Sequence, residues 1–167
     1  MTFTEKDFRK MMGRFPTGVA IVTTLYRDKP VGITINTLTS VSLAPPLVLF
    51  CLGKARVLFP AFFDSTHFAI HILSADQHTL SNAFAQPFEN PWEGVNYDLS
   101  STGCPLIPNT LGILHCRRDK RFNGGDHVIF LNHIENIQWG EDKHPLIYNQ
   151  GAYGLPLGQA IQADILA

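Results

Sequence analysis

The feature that most constrains the fold is a tight-turn sequence set between two long strand-like segments. Asn123, Gly124, Gly125 and Asp126 are residue types that favour a short hairpin turn. The segments 111–121 and 128–139 on either side are predicted to be strands. The sequence therefore predicts a long antiparallel hairpin, and the rest of the chain has to fold around it.

Most of the other predicted elements are also strands. Residues 18–26 are rich in β-branched side chains and should pair as a hairpin with residues 31–37, around a turn at 27–30. Residues 47–52 are apolar on both faces, which favours a central strand, and residues 67–73 form another. Many strands with few helices indicate a mainly β fold, a closed or nearly closed antiparallel barrel with helical additions.

Helices are fewer. Thr4 and Asp7 have the spacing of a capping box, so a helix is predicted from residue 4 to about Gly13. A short helix is predicted from Ala55, and Pro60 is expected to kink or end it. A second capping box at residues 74–77 opens a helix to about residue 84, and a loop follows at 86–92.

Composition limits the class of protein. With 167 residues, 45% hydrophobic and 16% charged, the chain is expected to form one globular domain spanning residues 1–167. A net charge of −1 argues against nucleic acid as a main partner. No apolar stretch approaches the roughly 20 residues that span a bilayer, and residues 1–10 do not resemble a secretory leader. The twelve phenylalanines predict either a thick core or an apolar surface for a partner subunit.

Several isolated polar residues are expected to have structural roles. The three cysteines lack metal-ligand or CxxC spacing, which favours a reducing compartment and a cytoplasmic location. Cys51 and Cys116 lie in apolar runs and are expected to be buried. The basic residues at 117–121 are expected to form a solvated hairpin end. His71 alternates with apolar neighbours and is expected to be a hydrogen-bonded barrel residue.

One segment carries a dense row of small, uncharged polar side chains. Its members are Thr34, Asn36, Thr37, Thr39, Ser40 and Ser42. Each can donate and accept hydrogen bonds, and an apolar strand follows at once. This lining suits a flat, largely apolar ligand edged with carbonyls and ring nitrogens, such as the isoalloxazine ring of a flavin. The competing interpretation is that these side chains bond to their own backbone.

Several short stretches occur in an order that is typical of one protein family. They are FPTGVAIVTT at 15–24, TINTLTSVS at 34–42, PPLVL at 45–49, FAIHILSADQ at 68–77, FA at 84–85, GCPL at 103–106, GDH at 125–127 and PLIY at 145–148, with Tyr153. In this order, over roughly residues 8–155, the chain resembles the flavin reductase family, the NAD(P)H:flavin oxidoreductases of two-component monooxygenases. The family usually has Asn-Ser-Phe where this chain has Asn36-Thr37-Leu38. The resemblance implies a split antiparallel β-barrel with a few peripheral helices that binds FMN and pairs as a homodimer.

The resemblance also implies which residues form the site. His127, in the Gly-Asp-His motif, is the candidate catalytic side chain, because the family places this histidine at the flavin and nicotinamide site. The candidate cofactor-binding residues are Thr34, Asn36, Thr37, Ser40, Val41, Ser42, Cys51, Lys54, Arg56, Phe84, Ala85, Asp126 and Tyr153. No metal site is expected. The cofactor is FMN or FAD, with NADH or NADPH as co-substrate.

Some of these residues keep a second interpretation. Residues 126–127 can simply follow a hairpin turn, where the aspartate either caps the turn or orients the histidine. Lys54 and Arg56 lie where a helix can begin and are candidates for the flavin phosphate, or else two solvated cations. Residues 84–85 either contact the flavin or end a helix in the core. Tyr153 is either an active-site aromatic or a packing residue.

The predicted function is hydride transfer from NAD(P)H to FMN or FAD, which supplies reduced flavin to a partner monooxygenase. The chain lacks Gly-x-Gly-x-x-Gly after a strand, so the coenzyme is expected to bind transiently against the flavin itself. An FMN-holding protein of the same barrel type, without useful turnover, is the alternative. An oxidase of the pyridoxamine-phosphate type is a weaker third reading, because no basic pocket for a phosphorylated substrate is evident.

Overall fold

The computed structural model describes residues 2–86 and 90–154. Within these ranges the helices are α1 (Glu5–Met12), α2 (Phe59–Asp64) and α3 (His78–Ala85). The strands are β1 (Thr17–Gly18), β2 (Ala20–Tyr26), β3 (Lys29–Ile35), β4 (Thr39–Leu43), β5 (Pro46–Gly53), β6 (His67–Ile72), β7 (Asp98–Leu99), β8 (Pro105–Leu106), β9 (Gly112–Gly124), β10 (His127–Trp139), β11 (Ile147–Asn149) and β12 (Ala152–Gly154).

Seven strands form one antiparallel sheet in the order β3-β2-β6-β9-β10-β5-β4. The sheet is split between its edge strands β3 and β4, which follow each other in the chain. The predicted fold, a mainly β split antiparallel barrel with a few peripheral helices, is confirmed. None of the three described helices has the length and apolar composition needed to traverse a bilayer.

The predicted hairpins are both present. β9 and β10 are 13 residues each and pair from His127↔Gly124 to Trp139↔Gly112, with two register shifts on the way. Gly125, at the turn, has φ +73°, a conformation that a glycine adopts without steric cost. β2 and β3 also pair as predicted, around a turn in which Arg27 and Asp28 have positive φ.

The aromatic residues fill the inside of the barrel. The Phe50 and Phe130 rings stack with centroids 5.0 Å apart, and the Phe68 ring meets Phe50 edge-on at 5.6 Å. All three side chains are fully buried, so the phenylalanine surplus does form a thick core. Other phenylalanines, including Phe8 and Phe15, are more than half exposed, so the predicted apolar surface is present as well.

A second core cluster lies between the sheet and α3. Ile21, Leu73 and Phe84 are buried there. Gly32 on β3 faces the Phe84 ring so closely that a Cβ at this position would lie 2.5 Å from Cε1 of the ring. The helix α3 therefore sits on β3 at a distance that only glycine permits at this position.

The prediction for the second helix was wrong in its position. α2 begins at Phe59 rather than Ala55, and Pro60 lies in its first turn instead of ending it. The reason is that the first turn of a helix has no internal partners for its N–H groups, so proline is tolerated there. The third helix is also shorter than predicted, because residues 75–77 form a 3-10 turn before α3 begins at His78.

Two of the expected solvated arginines are instead structural, which corrects that interpretation. Arg118 donates from Nη1 to the carbonyl oxygens of Phe63 and Ser65, and Arg121 donates to the carbonyl oxygen of Phe63. Carbonyl groups at the C-terminal end of a helix lack internal partners, and cations satisfy them well. The basic end of β9 therefore holds the C-terminal end of α2.

Buried polar residues follow the sequence expectation in one case and depart from it in another. His71 is completely buried, its Nδ1 lies 3.0 Å from the carbonyl oxygen of Ile21, and its Nε2 accepts from the backbone N–H of Ile107 at 3.1 Å. The predicted hydrogen-bonded barrel histidine is confirmed. Cys116 is buried as predicted, whereas Cys51 is only half-buried because it lies on the outward side of β5.

Candidate functional site

The polar row lies where β3 leaves the sheet and β4 begins. Asn36, Thr37 and Ser40 are exposed, and Ser42 is partly exposed. A register shift in β4 between Ser40 and Ser42 places Val41 in a bulge, with its side chain 47% exposed. Apart from Thr37, no polar side chain of residues 36–42 hydrogen-bonds to another described residue. The row therefore offers several neutral donors and acceptors to a ligand.

Thr37 is the member of the row that is already engaged. Its hydroxyl accepts from the backbone N–H of Cys51 at 3.0 Å and donates to the carbonyl oxygen of Cys51 at 3.1 Å. Thr39 pairs with Leu49 in the last step of the β4–β5 ladder. The Thr37 side chain therefore extends this ladder to the residues just before β4 begins, and it fixes that end of the polar row beside the C-terminal half of β5.

The Gly-Asp-His motif meets the same end of β5. His127 is the first residue of β10 and pairs with Gly53, and its side chain is 47% exposed. His127 Nδ1 lies 2.8 Å from Oδ1 of Asp126, so the Nδ1–H tautomer donates this hydrogen bond. The exposed Asp126 carboxylate has a lowered pKa because of the hydrogen bond and the charge of His127, with a smaller contribution from Lys54. This arrangement orients the imidazole and leaves Nε2 for a ligand.

The segment after β5 carries the two candidate phosphate ligands, and each is tied to a different element. The backbone N–H of Lys54 donates to the carbonyl oxygen of Asp126 at 2.9 Å. Its ammonium group donates to Asn123 Oδ1 and to the carbonyl oxygen of Gly125, both at the β9–β10 turn. The Arg56 guanidinium lies on the other side, 3.5 Å from the carbonyl oxygen of Ala85. The segment 53–56 therefore bridges the hairpin turn and the end of α3.

Residues 84 and 85 lie together with Arg56 at a small cleft beside α3. Phe84 is almost completely buried, and its ring meets Trp92 edge-on with centroids 4.9 Å apart. Its side chain is therefore a core contact. Ala85 is partly exposed and presents its backbone next to Arg56.

Two further candidates are joined by hydrogen bonds through α3. Thr34 donates to the carbonyl oxygen of Ser81 at 2.7 Å, so its hydroxyl is already used. The Ser81 hydroxyl lies 2.8 Å from the hydroxyl of Tyr153, and the Tyr153 ring meets Tyr148 edge-on at 5.8 Å. Thr34, although part of the row in the sequence, therefore connects β3 with α3, and Tyr153 connects α3 with β12.

A large cleft adjoins the row, and sequence reasoning did not find it. Its volume is about 850 Å³, and it lies between α1 and residues 36–39. The α1 side carries Lys6, Phe8, Lys10 and Met12, and Tyr148 lies on the far wall. The available signal was the amphipathic pattern of α1, whose apolar side chains are exposed instead of packed on the core.

The structure thus brings together three of the predicted groups. Asn36 and Thr37 of the polar row, the end of β5 with Cys51, and the pair Asp126–His127 lie towards the C-terminal end of β5. Ser40 and Ser42 lie towards the other end of β5, where they pair with Val48 and Leu47. Residues 53–56 extend from this place towards α3 and towards the hairpin turn. The exposed donors are neutral hydroxyls and an amide, the donor set that a flavin ring with carbonyls and ring nitrogens at its edge requires, so the residues present fit this group.

Comparison with known proteins also points to flavin reductases. The family model described as flavin reductase like domain matches residues 12–155. The FMN reductase (NADH) SmoA of Agrobacterium fabrum is 40% identical over 149 residues, which cover 89% of this chain and 84% of that protein. The reductase subunit HsaB of a flavin-dependent monooxygenase from Mycobacterium tuberculosis is 30% identical over 150 residues, covering 89% of this chain and 80% of that subunit.

Two other similar proteins are informative, one for its greater chain length and one for the ligands in its solved structure. A probable flavin reductase of Rhizobium meliloti is 34% identical over 98% of this chain, and the chain spans only 53% of that protein. An NADH:FAD oxidoreductase of Streptomyces globisporus, solved in complex with NAD and FAD fragments, superposes with a TM-score of 0.84 at 31% identity over 99% of both chains. The family match covers most of the chain, and the site lies within it. The chain therefore belongs to the flavin reductase like domain family.

Proposed function

We propose that this chain is an NAD(P)H-dependent flavin reductase that takes FMN or FAD as its flavin. The observation that carries the proposal is that Thr37, in the neutral polar row, and the oriented His127 both lie at the C-terminal end of β5. The family membership supports it, as do relatives named as NADH-dependent FMN and FAD reductases. A single domain spanning residues 1–167 remains part of this proposal.

In the proposed reaction the chain's own residues bind and orient. The bound flavin would accept the hydride from the nicotinamide, and that chemistry belongs to the two cofactors. Asn36, Ser40 and Ser42 would hold the polar edge of the flavin without introducing charge. His127 Nε2 would hydrogen-bond the coenzyme amide or the reduced ring, with Asp126 fixing the orientation of the imidazole. Lys54 and Arg56 would face the phosphate.

The coenzyme needs room next to the flavin, since the sequence has no glycine-rich dinucleotide motif. The cleft of about 850 Å³ beside residues 36–39 supplies such room. It is lined in part by exposed side chains of α1, which suits a coenzyme that binds, reacts and leaves. We propose that the nicotinamide enters through this cleft.

A coupled assay tests the proposed reaction. Protein, NADH or NADPH, and each of FMN, FAD and riboflavin are mixed in air, and coenzyme oxidation is followed at its absorbance band. We expect oxidation that requires both the protein and the flavin. An FMN-holding protein without turnover would instead bind flavin tightly while the coenzyme stayed reduced.

A second experiment locates the flavin. Losing one neutral hydrogen bond costs roughly 0.5–1.5 kcal/mol, so Asn36→Ala and Ser42→Ala should each weaken flavin binding by about two- to tenfold. Ser100→Ala, on the loop after β7, is the control and should bind flavin normally. If both row variants bind flavin as the wild type does, the polar row is not the site.

The reduced flavin would serve a separate monooxygenase, as the name of the relative HsaB, a reductase subunit, suggests. Transfer can occur by diffusion of the flavin or by transient contact. We also propose a homodimer. The outer face of β5 and β10, made of Leu47, Leu49, Cys51, Ile129 and Leu131, is only half-buried in the single chain although it is apolar.

The compartment is proposed from the cysteines. All three are without a disulfide partner, and burial raises the pKa of the Cys116 thiol to about 12 and that of Cys51 to a lesser extent. Such thiols stay protonated and unreactive at neutral pH. They support a reducing location such as the cytoplasm.

A further inference from the structure

The α1 side of the large cleft carries positive charge that no acidic side chain offsets. Lys6, Arg9 and Lys10 line this wall, and none of the described residues around the cleft is an aspartate or a glutamate. In the proposed reaction the nicotinamide lies at the opposite wall, beside residues 36–39. The cations of α1 have no role in that reaction.

Two of the three cations are available to a ligand. Lys6 and Lys10 are four residues apart on α1, so their side chains lie on the same face of the helix. Neither ammonium group hydrogen-bonds or pairs with a carboxylate among the described residues. Arg9, by contrast, lies 3.7 Å from the Glu5 carboxylate. The other acidic residue of α1, Asp7, is occupied in the capping box at the start of the helix.

The wall that carries the lysines is tied to the other side of the cleft. The carbonyl oxygen of Gly13, at the C-terminal end of α1, accepts the backbone N–H of Gln150 at 2.9 Å. Gln150 belongs to the turn between β11 and β12, and it also lines the cleft. Lys10 lies about one helical turn before this hydrogen bond, so the position of its backbone in the cleft wall is defined.

The cleft also contains a polar atom that lacks a partner. Thr17 lines it, and Oγ1 of Thr17 is buried without a hydrogen bond to any described residue. Buried hydroxyl groups in native proteins are almost always hydrogen-bonded, so this one indicates a polar group of a ligand. Together with the two ammonium groups on α1, it favours a ligand that carries both hydroxyl and phosphate groups.

These charges bear on the choice between two coenzymes. NADPH differs from NADH by one phosphate, on the 2′-hydroxyl of its adenosine ribose. Sites that select NADH place a carboxylate against this hydroxyl, whereas sites that select NADPH place a cation there. With the nicotinamide beside residues 36–39, the adenosine end of the coenzyme would extend towards the α1 wall, where cations are present and carboxylates are not.

We infer that Lys6 and Lys10 bind the 2′-phosphate of NADPH and make NADPH the preferred coenzyme of this chain. This role rests on the proposed flavin reductase function and narrows it, and it departs from the NADH named for the relatives. Two ammonium groups close to the added phosphate should raise kcat/KM for NADPH about five- to twentyfold above that for NADH. The factor is no larger because both lysines are exposed and screened by salt.

The first measurement is nucleotide binding, without flavin or turnover. Isothermal titration calorimetry compares 2′,5′-ADP with 5′-AMP, which differ only in the 2′-phosphate, on the wild type, Lys6→Gln and Lys10→Gln. Glutamine removes the charge and keeps a long polar side chain that suits a helix. The control is Lys29→Gln, which removes an exposed cation from the start of β3, outside the cleft.

The expected result is specific for the 2′-phosphate. The wild type should bind 2′,5′-ADP about five- to twentyfold more tightly than 5′-AMP. Each α1 variant should lower this ratio by about three- to fivefold, whereas Lys29→Gln should leave it within about twofold of the wild type. The ratio of kcat/KM for NADPH to kcat/KM for NADH should follow the same order in the four proteins.

Three results would overturn the inference. Equal affinity of the wild type for the two nucleotides, or a higher kcat/KM for NADH than for NADPH, would mean that no group selects the 2′-phosphate. A ratio left unchanged by both lysine variants would place the 2′-phosphate elsewhere. Equal loss of both nucleotides would assign the lysines to the 5′-phosphate. All three leave the reductase activity intact, whereas absence of flavin-dependent oxidation of either coenzyme would refute the proposed function itself.

Discussion

The hydroxyl of Thr37 takes the place of a backbone pair at Cys51. It accepts from the N–H of Cys51 and donates to its carbonyl oxygen, in register with the β4–β5 ladder that stops at Thr39. One side chain thereby satisfies both polar groups of a residue that no strand covers on that side. The polar row beside it is held in place before any ligand arrives.

Thr37→Val should destabilise the protein, because it keeps the shape but removes both hydrogen bonds. We expect a loss of about 1–2 kcal/mol in the free energy of unfolding, moderated by water at the half-buried Cys51. Urea denaturation followed by circular dichroism measures it. Thr37→Ser keeps the hydroxyl and should stay near wild type; equal losses in both variants would contradict a role for the hydroxyl.

Stability should fall in acid because of His71. Burial lowers the pKa of this imidazole to about 4, partly offset by its hydrogen bond to Ile21 and assisted by the charge of His115. The unfolded chain, with a histidine pKa near ~6.5, binds the proton more readily, so stability is full above that pH and declines as the pH falls towards 4. The whole effect is about 3 kcal/mol.

Unfolding free energies at pH 7 and pH 5 measure the acid effect. His71→Gln, whose amide can still donate and accept, should show a smaller loss between the two pH values than the wild type. The NMR resonances of the wild-type His71 ring should also show that the imidazole is still neutral at pH 5. A histidine that titrates near its ordinary value inside the folded protein would contradict the prediction.

Gly32→Ala should be destabilising without touching the polar row. The added methyl group would lie 2.5 Å from the Phe84 ring, so β3 and α3 must separate, at a cost of about 1–3 kcal/mol. Gly53→Ala is the matched control, because its Cβ would meet His127 at an ordinary contact of 3.5 Å. Thermal unfolding compares the two. Similar midpoints in the two variants would show that α3 can move away from β3 without loss of stability.

His127→Ala should slow flavin reduction more than it weakens flavin binding. An interaction made with the nicotinamide or the reduced ring affects the rate, and its loss costs about ten- to a hundredfold. Anaerobic stopped-flow reduction gives the rate, and fluorescence titration gives the affinity. If a folded variant reduces flavin at the wild-type rate, His127 has only a local structural role at the hairpin.

Leu131→Asp should separate the proposed dimer. Leu131 faces Leu49 on the half-buried outer face, where a carboxylate cannot be buried without a partner. The wild type should sediment at about twice the 18.6 kDa chain mass, and the variant at the chain mass. Ile137→Asp, on the exposed far end of β10, is the control. A monomeric wild type with full activity would refute the dimer.

The sequence predicted the hairpins well because their signals are local. The turn from Asn123 to Asp126 determines where β9 ends and β10 begins, without reference to the rest of the chain. The helix at Phe59 was misplaced because Pro60 breaks a helix or begins one depending on its position. Only the packing of α2 against the barrel decides between the two.

The site was predicted as a composition but not as a geometry. The row of hydroxyls is visible in the sequence, yet the engagement of Thr37 with Cys51 and of Thr34 with Ser81 depends on strand register and on where α3 docks. The cleft beside α1 depends on the orientation of that helix relative to β1, which follows it in the chain. Such long-range relations have no signature in a single sequence.

The strand order has a consequence for how the chain acquires its structure. β2 pairs with β6 through Ala20↔Ile72, 52 residues apart, and β5 pairs with β10 through Gly53↔His127, 74 residues apart. Long loops must therefore close before these contacts can form. Folding in milliseconds to seconds is expected for such a topology, slower than for helical proteins of this size. Until β10 has been synthesised, β5 lacks a partner on one side, and the nascent chain exposes an apolar strand edge to its neighbours.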